Sequence, residues 1–244
     1  GRVIAFVSSP SFDPNVFSKG VSKEDWTELA TSPFRTLENK PIQGQYPPAS
    51  TFKLITAAAA LEEKVITPST KIYSGEAFRF GNRDFRDWKK GGHGVIDVHR
   101  AIVESSDTFF YQVGLKVGID RLAYYAKGFG LGQKTGIPLT NEKPGLVPSS
   151  KWKMDAYKVK WYEGETVSVS VGQGYVLTTP LQMANAYAAI ANGGRLFQPQ
   201  VVDKVKDLEG KILWEFKPKE IGRVPVSEET LDILKKALYD FIQK

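Results

Sequence analysis

The chain has 244 residues, 41% of them apolar, which is enough for a substantial core in one large domain or two small ones. Its formal charge of +6 comes from 33 basic and 27 acidic residues spread along the sequence, and no motif gathers basic and aromatic residues on one element, which argues against nucleic-acid binding. The absence of cysteine excludes disulfides and thiolate chemistry, and no run reaches the roughly 18 apolar residues that span a bilayer.

In chain order, residues 2–8 read as a buried strand, with a turn-rich exit through Ser9-Pro10-Ser11-Phe12-Asp13-Pro14-Asn15. No signal peptide is visible, and so abrupt a strand-like start reads as a piece of a longer protein. A short helix is expected around residues 24–30, capped by Ser22. Pro47-Pro48 then forces an extended approach to an Ala-rich helix opened by Ser50 and ending near Glu63.

Residues 64–100 read as a loop-rich insert carrying Asp84, Asp87, Trp88, Gly91, Gly92 and His93. A helix is expected over 97–104, a break at Ser105-Ser106-Asp107, then helices over 108–117 and 119–128. Residues 131–150 are Gly/Pro-punctuated loop, followed by the densest basic patch, Lys151-Trp152-Lys153 and Lys158-Val159-Lys160, which suits an anionic surface such as a membrane or wall polymer. An apolar run over 166–171 enters Gly172-Gln173-Gly174.

Thr179 and Pro180 start a helix with the face Leu181, Ala184, Tyr187, Ala188 and Ala191, stopped by Gly193-Gly194. A hairpin turns at Glu209-Gly210 within 198–217. A last amphipathic helix begins at Ser227 and runs to the final residue, with Leu231, Leu234, Leu238 and Phe241 inward. The class is α+β.

Three stretches carry chemistry. Lys53 stands at i+3 from Ser50, one helical turn on, so its amine can reach the serine hydroxyl. A serine is a poor nucleophile until a base takes its proton, and a lysine desolvated beside an apolar helix can have its pKa lowered enough to do so. An ordinary N-cap serine with a snorkelling lysine accounts for the same letters. Ser105-x-Asp107, at a break between helices, can relay protons and hold the lysine, or simply cap the helix that follows. Gly172-Gln173-Gly174 is by itself what a tight turn requires.

Together, Tyr46-Pro47-Pro48-Ala49-Ser50-Thr51-Phe52-Lys53, Glu104-Ser105-Ser106-Asp107-Thr108-Phe109-Phe110-Tyr111, Gly172-Gln173-Gly174-Tyr175 and Thr178-Thr179-Pro180-Leu181-Gln182-Met183-Ala184-Asn185 resemble the transpeptidase domain of class B penicillin-binding proteins. The segment Arg86-Asp87-Trp88-Lys89-Lys90-Gly91-Gly92-His93-Gly94 resembles the elongation-specific group of that family, penicillin-binding protein 2 of rod-shaped bacteria.

The resemblance implies a penicillin-binding/serine β-lactamase-like fold, a helical subdomain plus an antiparallel sheet. Residues 1–244 would be a partial transpeptidase domain, lacking an N-terminal anchor and pedestal and the C-terminal Lys-Thr-Gly strand, and expected to be catalytically crippled without that third motif. It implies a DD-transpeptidase in which Ser50 attacks the penultimate D-alanine of a peptidoglycan stem peptide. Lys53 is then the general base, Ser105 passes the proton to the leaving amine, and Asp107 positions Lys53. Gly172, Gln173 and Gly174 bind substrate, and β-lactams acylate Ser50.

No cofactor is implied. In the parent, a lipid II polymerase and elongation scaffold proteins would be partners, at the periplasmic face of the inner membrane, where a single-pass helix would anchor it. Lys134-Thr135-Gly136 spells the third motif of the family but stands in a loop well before Gly172, and reads as a decoy. The resemblance extends to relatives that bind zinc near the positions of Asp87 and His93. Ser106 stands where they carry cysteine, so two ligands remain, too few for a structural site, and Asp87 and His93 are expected to fix the loop by hydrogen bonds. His99 reads as an ordinary helix residue.

Pro-Ala-Ser-Thr-Phe-Lys equally suits a class D β-lactamase or a β-lactam sensor domain, against which stand the Ser-x-Asp triplet and the Trp-Lys-Lys-Gly-Gly-His segment. A non-catalytic binding module of the elongation complex is the reading from another class.

Overall fold

The computed structural model describes residues 1–18 and 20–243. The Ser22 hydroxyl accepts from Asp25 N and caps α1 (Lys23–Thr31), as expected. A one-turn helix, α2 (Lys40–Gln43), leads to a 3-10 turn (Ala49–Phe52) that runs directly into α3 (Lys53–Glu62). This last segment holds four successive alanines and neither Gly nor Pro, so its intrinsic helix preference is high. Every residue from Lys53 to Ala60 is buried, so α3 is hydrophobic all round and other helices enclose it.

The small Ala57–Ala60 side chains let those neighbours come close. They are α5 (Asp107–Val117), α6 (Ile119–Gly128) and, from the far end of the sequence, α10 (Glu228–Ile242). Phe109, Phe110, Leu122 and Leu234 are fully buried around it in one continuous core. A smaller cluster of Ile42, Ile137 and Leu181 lies outside that core.

Residues 64–100 are more regular than the expected loop. β1 (Ile72–Ser74) pairs antiparallel with β4 (Gly94–Ile96), and β2 (Ala77–Phe80) with β3 (Arg83–Arg86) across a two-residue Gly81-Asn82 connection. Gly81-Asn82 between short aromatic runs was a hairpin signal in the sequence. α4 (Val98–Val103), capped by Asp97, follows, then α5 and α6 at the expected positions.

The basic patch is helical, α7 (Ser150–Tyr157), capped by Ser149 and ended by a left-handed Lys158. Its Lys153 is buried rather than solvated. Its ammonium pairs with Glu165 and lies 4.6 Å from the Tyr162 ring and 5.7 Å from that of Trp161. The apolar run before Gly172 belongs to α8 (Glu163–Val169).

α9 (Pro180–Ala191) starts where expected, with a reciprocal cap in which Thr179 Oγ1 accepts from Gln182 N and Gln182 Oε1 from Thr179 N. Its buried face is not the one expected. Leu181, Gln182, Ala186, Ala189 and Ile190 point inward, while Ala184 and Ala188 line an open cleft of about 300 Å³ shared with residues 1–5.

Two further expectations fail. Residues 2–8 are not a ladder strand. Arg2 makes one parallel bridge to Gln200, after which Ile4 (96% exposed) and Val7 (76%) find no pairing partner among the described residues. An extended segment becomes a strand only when a neighbour takes up its N–H and C=O groups. Along α10, Leu231 and Leu234 are buried as expected, but Phe241 is 53% exposed. The helix is described to Ile242, and its expected final residue, Lys244, lies outside the described residues.

The remaining ladders are β5 (Arg195–Phe197) with β8 (Glu220–Arg223), and β6 (Lys204–Lys206) with β7 (Ile212–Glu215), the latter being the hairpin around Glu209-Gly210.

Candidate active site

The turn Ala49–Phe52 presents Ser50 to solvent and is held from three sides. Ala49 N donates to Gly172 O at 2.9 Å, Thr51 Oγ1 to Pro48 O at 2.5 Å and Tyr187 Oη to Thr51 O at 3.0 Å. Gly172 has a reason to be glycine. Its φ is +72°, and a Cβ there would stand 2.3 Å from Ala49 O and 2.7 Å from Phe52 Cβ. Gly172 therefore packs behind the serine turn, while Gln173 and Gly174 are exposed beside it; none of the three lines the pocket into which Ser50 opens.

That pocket, about 300 Å³, is lined by Ser50, Thr51, Lys53, Ser105 and Tyr187, with Leu54, Ile102, Leu238 and Phe241 as apolar wall. Phe241, expected in the core, belongs to this wall. Burial pushes the Tyr187 phenol up to about 12, so it is a standing hydrogen-bond donor at neutral pH. The sequence marked Tyr187 only as a helix-face residue, because its approach to Thr51 spans 136 positions.

Lys53 is 3% exposed. Its Nζ donates to Ser105 O at 2.7 Å and Ser105 Oγ at 3.1 Å, and pairs with Asp107 Oδ1 at 2.6 Å. Burial lowers its pKa below the ordinary lysine value, and Asp107, then Asp87, pull it back only in part. Ser50 Oγ makes no hydrogen bond among the described residues, so Lys53 is turned toward Ser105 and Asp107 while sharing a cavity with Ser50.

Ser105 sits between α4 and α5 with φ +51°, a left-handed conformation unusual for a side-chain-bearing residue. Ser106 caps α5, its hydroxyl accepting from Phe109 N. The cap is thus the middle residue of the triplet, while Ser105 and Asp107 contact Lys53.

Behind the turn lies a polar cluster. Asp87 Oδ2 accepts from Thr108 N at 2.9 Å, Thr108 Oγ1 at 3.1 Å and Ser106 Oγ at 3.2 Å, and Asp87 Oδ1 lies 3.0 Å from His93 Nε2. Glu104 Oε2 lies 2.7 Å from His93 Nδ1 and accepts from Lys89 Nζ at 3.2 Å, and Arg100 Nε donates to Glu104 Oε1. Burial pushes both carboxyls up, but these donors outweigh it. Asp87 is held below its ordinary value, and Glu104 down at about 2, with Arg100 the largest lowering influence.

The residues do not fit a metal. Both His93 nitrogens face carboxylates at hydrogen-bond distance, and the Ser74, Ser106 and Thr108 hydroxyls bond one another at 2.5 Å through Ser74 where a further ligand would stand. His99 pairs with Asp240 at 2.9 Å, away from Ser50. Thr135 N and Oγ1 and Gly136 N all donate to Glu142, and none of Lys134, Thr135 and Gly136 lines the Ser50 pocket.

A serine on a helix-opening turn thus shares one cavity with a buried lysine and with Ser105 of the Ser-x-Asp turn, on a helix-rich α+β scaffold. The whole chain, residues 1–244, matches the family described as penicillin binding protein transpeptidase domain, and the chain belongs to that family. It is 44% identical over 220 residues to peptidoglycan D,D-transpeptidase MrdA of Salmonella typhimurium, an alignment covering 89% of this chain and 35% of that protein.

Among solved structures it is similar to Pseudomonas aeruginosa PBP2 in complex with WCK 5153, with TM-score 0.83, 34% identity and coverage of 95% of this chain and 52% of that one. It is also similar to PBP2 of Helicobacter pylori in complex with MreC, with TM-score 0.84, 32% identity and coverage of 96% and 42%. The chain thus spans about a third of the length of the curated relative.

Proposed function

We propose that this chain carries the acylation machinery of a peptidoglycan DD-transpeptidase that cross-links stem peptides during cell elongation. The observation that supports this best is the placement of a buried, pKa-lowered Lys53 at 3.1 Å from Ser105 Oγ and 2.6 Å from Asp107, in the cavity that Ser50 enters.

In the reaction, the neutral Lys53 amine takes the Ser50 proton as Oγ attacks the penultimate D-alanine carbonyl. Ser105, hydrogen-bonded to Lys53, hands a proton to the amine of the departing D-alanine as the C–N bond breaks. A second stem peptide's amine then attacks the ester, forming the new amide and returning the proton to Ser50. The Ser50 backbone N–H, at the start of a helix, is one donor for the oxyanion. Asp107 holds Lys53, Gly172 backs the serine turn, and Gln173 and Gly174 form the exposed rim beside it, where substrate backbone passes.

β-Lactams acylate Ser50 by the same first step. By analogy with the MreC complex of the Helicobacter pylori relative, the parent protein works with elongation scaffold proteins, and by analogy with a similar structure of a peptidoglycan synthase complex that coordinates polymerization and crosslinking, it works with a lipid II polymerase. Cell-wall cross-linking lies outside the cytoplasm, for this protein at the periplasmic face of the inner membrane. No helix among the described residues is long and apolar enough to cross a membrane.

Intact-protein mass spectrometry after incubation with benzylpenicillin tests the reading. A stable adduct on the chain, absent from Ser50→Ala, is expected. No adduct on folded protein would overturn it in favour of a binding module, and rapid turnover in favour of a β-lactamase.

A further inference from the structure

The cluster behind the Ser105 turn takes no step in the acyl transfer, yet it brackets the turn on both sides. Glu104 immediately precedes Ser105; Ser106 and Thr108 follow it and are held by Asp87. His93 joins the two carboxylates, with Nε2 on Asp87 at 3.0 Å and Nδ1 on Glu104 at 2.7 Å, and its ring is buried. A third attachment comes from the same loop, where Trp88 Nε1 donates to Glu104 O at 3.2 Å and Ser105 O at 3.1 Å. Ser105 O is also the acceptor of the shorter of the two hydrogen bonds from Lys53 to Ser105, at 2.7 Å. The loop over 87–93 and the amine therefore share one carbonyl.

We infer that His93 is a positioning residue of the acylation step, a bridge through Asp87 and Glu104 that fixes the left-handed Ser105 and so aims its carbonyl and hydroxyl at Lys53. The inference rests on the acyl-transfer reading of the site.

The physical need is specific. A residue with a side chain occupies the left-handed region only where its surroundings over-determine it. Among the described residues, the Ser105 backbone bonds only from its own N–H to Ile102 O and from Lys53 and Trp88 to its carbonyl. The peptide units on either side of it are bonded through Ser105 N–H to Ile102 O, Ser106 N–H to Ala101 O and Trp88 Nε1 to Glu104 O, and the Glu104 and Asp87 carboxylates tie the residues before and after them to the loop over 87–93. An apolar plug could fill the space of His93 with little loss of stability. What the imidazole adds is a pair of directional bonds, one to each carboxylate, set by a rigid ring. Packing fixes volume, whereas these bonds fix angle.

The test compares wild type with His93→Ala and His93→Gln, the latter keeping an amide donor for one carboxylate. Saturation kinetics with benzylpenicillin separate non-covalent affinity from the covalent rate. For His93→Ala the covalent rate should fall about 10- to 100-fold, the scale of a misplacement near 1 Å, at unchanged affinity, with His93→Gln recovering part of the loss. Hydrogen exchange on the same proteins should rise at least about tenfold at Thr108 N–H, which donates to Asp87, and stay unchanged at Val113 in mid-helix.

Unchanged exchange at Thr108 in His93→Ala overturns the inference, as does a loss of acylation that appears in affinity alone or is not recovered at all by His93→Gln. If wild type forms no adduct, the acyl-transfer reading falls by itself, and the exchange arm still decides whether His93 fixes the turn.

Discussion

Gly172 and Gly174 offer a controlled perturbation of the nucleophile, because they share a backbone conformation and differ in what a side chain would meet. Their φ angles are +72° and +74°. Alanine at either position costs about 1–2 kcal/mol for the left-handed conformation. At Gly174 the new Cβ would find Ser168 Cβ at 3.4 Å, an ordinary contact, so the strain is the whole effect.

At Gly172 it would stand 2.3 Å from Ala49 O and 2.8 Å from Ala49 N, backbone atoms that cannot rotate away, so the serine turn must move. Overpacking adds about 1–3 kcal/mol, for a total of about 2–5 kcal/mol. At roughly 2–4 °C per kcal/mol for a domain of this size, Gly172→Ala should melt about 4–20 °C below wild type, and Gly174→Ala about 2–8 °C below.

The displacement also breaks the Ala49 N to Gly172 O bond that seats Ser50. Penicillin acylation should therefore fall about 100-fold in Gly172→Ala and by less than about threefold in Gly174→Ala, both followed by quenched-flow labelling below their melting temperatures. If the two variants acylate at the same rate while differing in stability, Gly172 does not set the position of the nucleophile, and its close approach to Ala49 serves packing alone.

In the proposed mechanism Lys53 acts as a base only when neutral, so acylation should rise with pH through a lysine pKa lying below the ordinary 10.5. Asp107 raises that pKa, so Asp107→Asn should move the rising limb of the pH–rate profile to lower pH even as loss of the hold on Lys53 lowers the plateau; a limb that stays in place or moves up would show that Asp107 does not govern the lysine charge. Glu104, held at about 2 against 4.5, contributes stability that is fully present above pH 4.5 and is lost as pH falls from 4.5 toward 2. The shift alone would give at most roughly 3 kcal/mol, and screening of its exposed Arg100 and Lys89 partners brings this to about 1–2 kcal/mol. Urea midpoints measured from pH 6 to pH 2 should accordingly fall less steeply in Glu104→Gln, and identical slopes would remove Glu104 from the acid response.

Most of what local rules control was legible in the sequence. Ser22, Ser227 and Thr179 each cap the helix expected of them, because a cap depends on three or four neighbouring residues. The failures arise where a distant partner decides. Residues 2–8 have a strand's composition but gain only one bridge, at Arg2. Ala184 and Ala188 fit an apolar stripe as well as Ala186 and Ala189 do, and alanine is too small for its hydrophobicity to choose between faces. Lys153 read as one of a solvated cluster, because neither Glu165 nor the aromatic rings that enclose it are near in sequence terms.

The same distinction explains the one part of the site that the motif spacing described incompletely. Positions i and i+3 put Ser50 and Lys53 on a common face, and that much is a property of any helix. Where the amine points is a matter of charge. In a site that leaves Lys53 3% exposed, a carboxylate at 2.6 Å and a carbonyl at 2.7 Å attract an ammonium more strongly than a neutral hydroxyl can, so the resting amine lies on Asp107 and Ser105. Burial opposes that charge, and it is the larger influence on the lysine. Loss of one proton weakens the hold of Asp107 and gives Lys53 a lone pair, so the event that makes the amine basic also frees it to turn toward Ser50, one helical turn away in the same cavity.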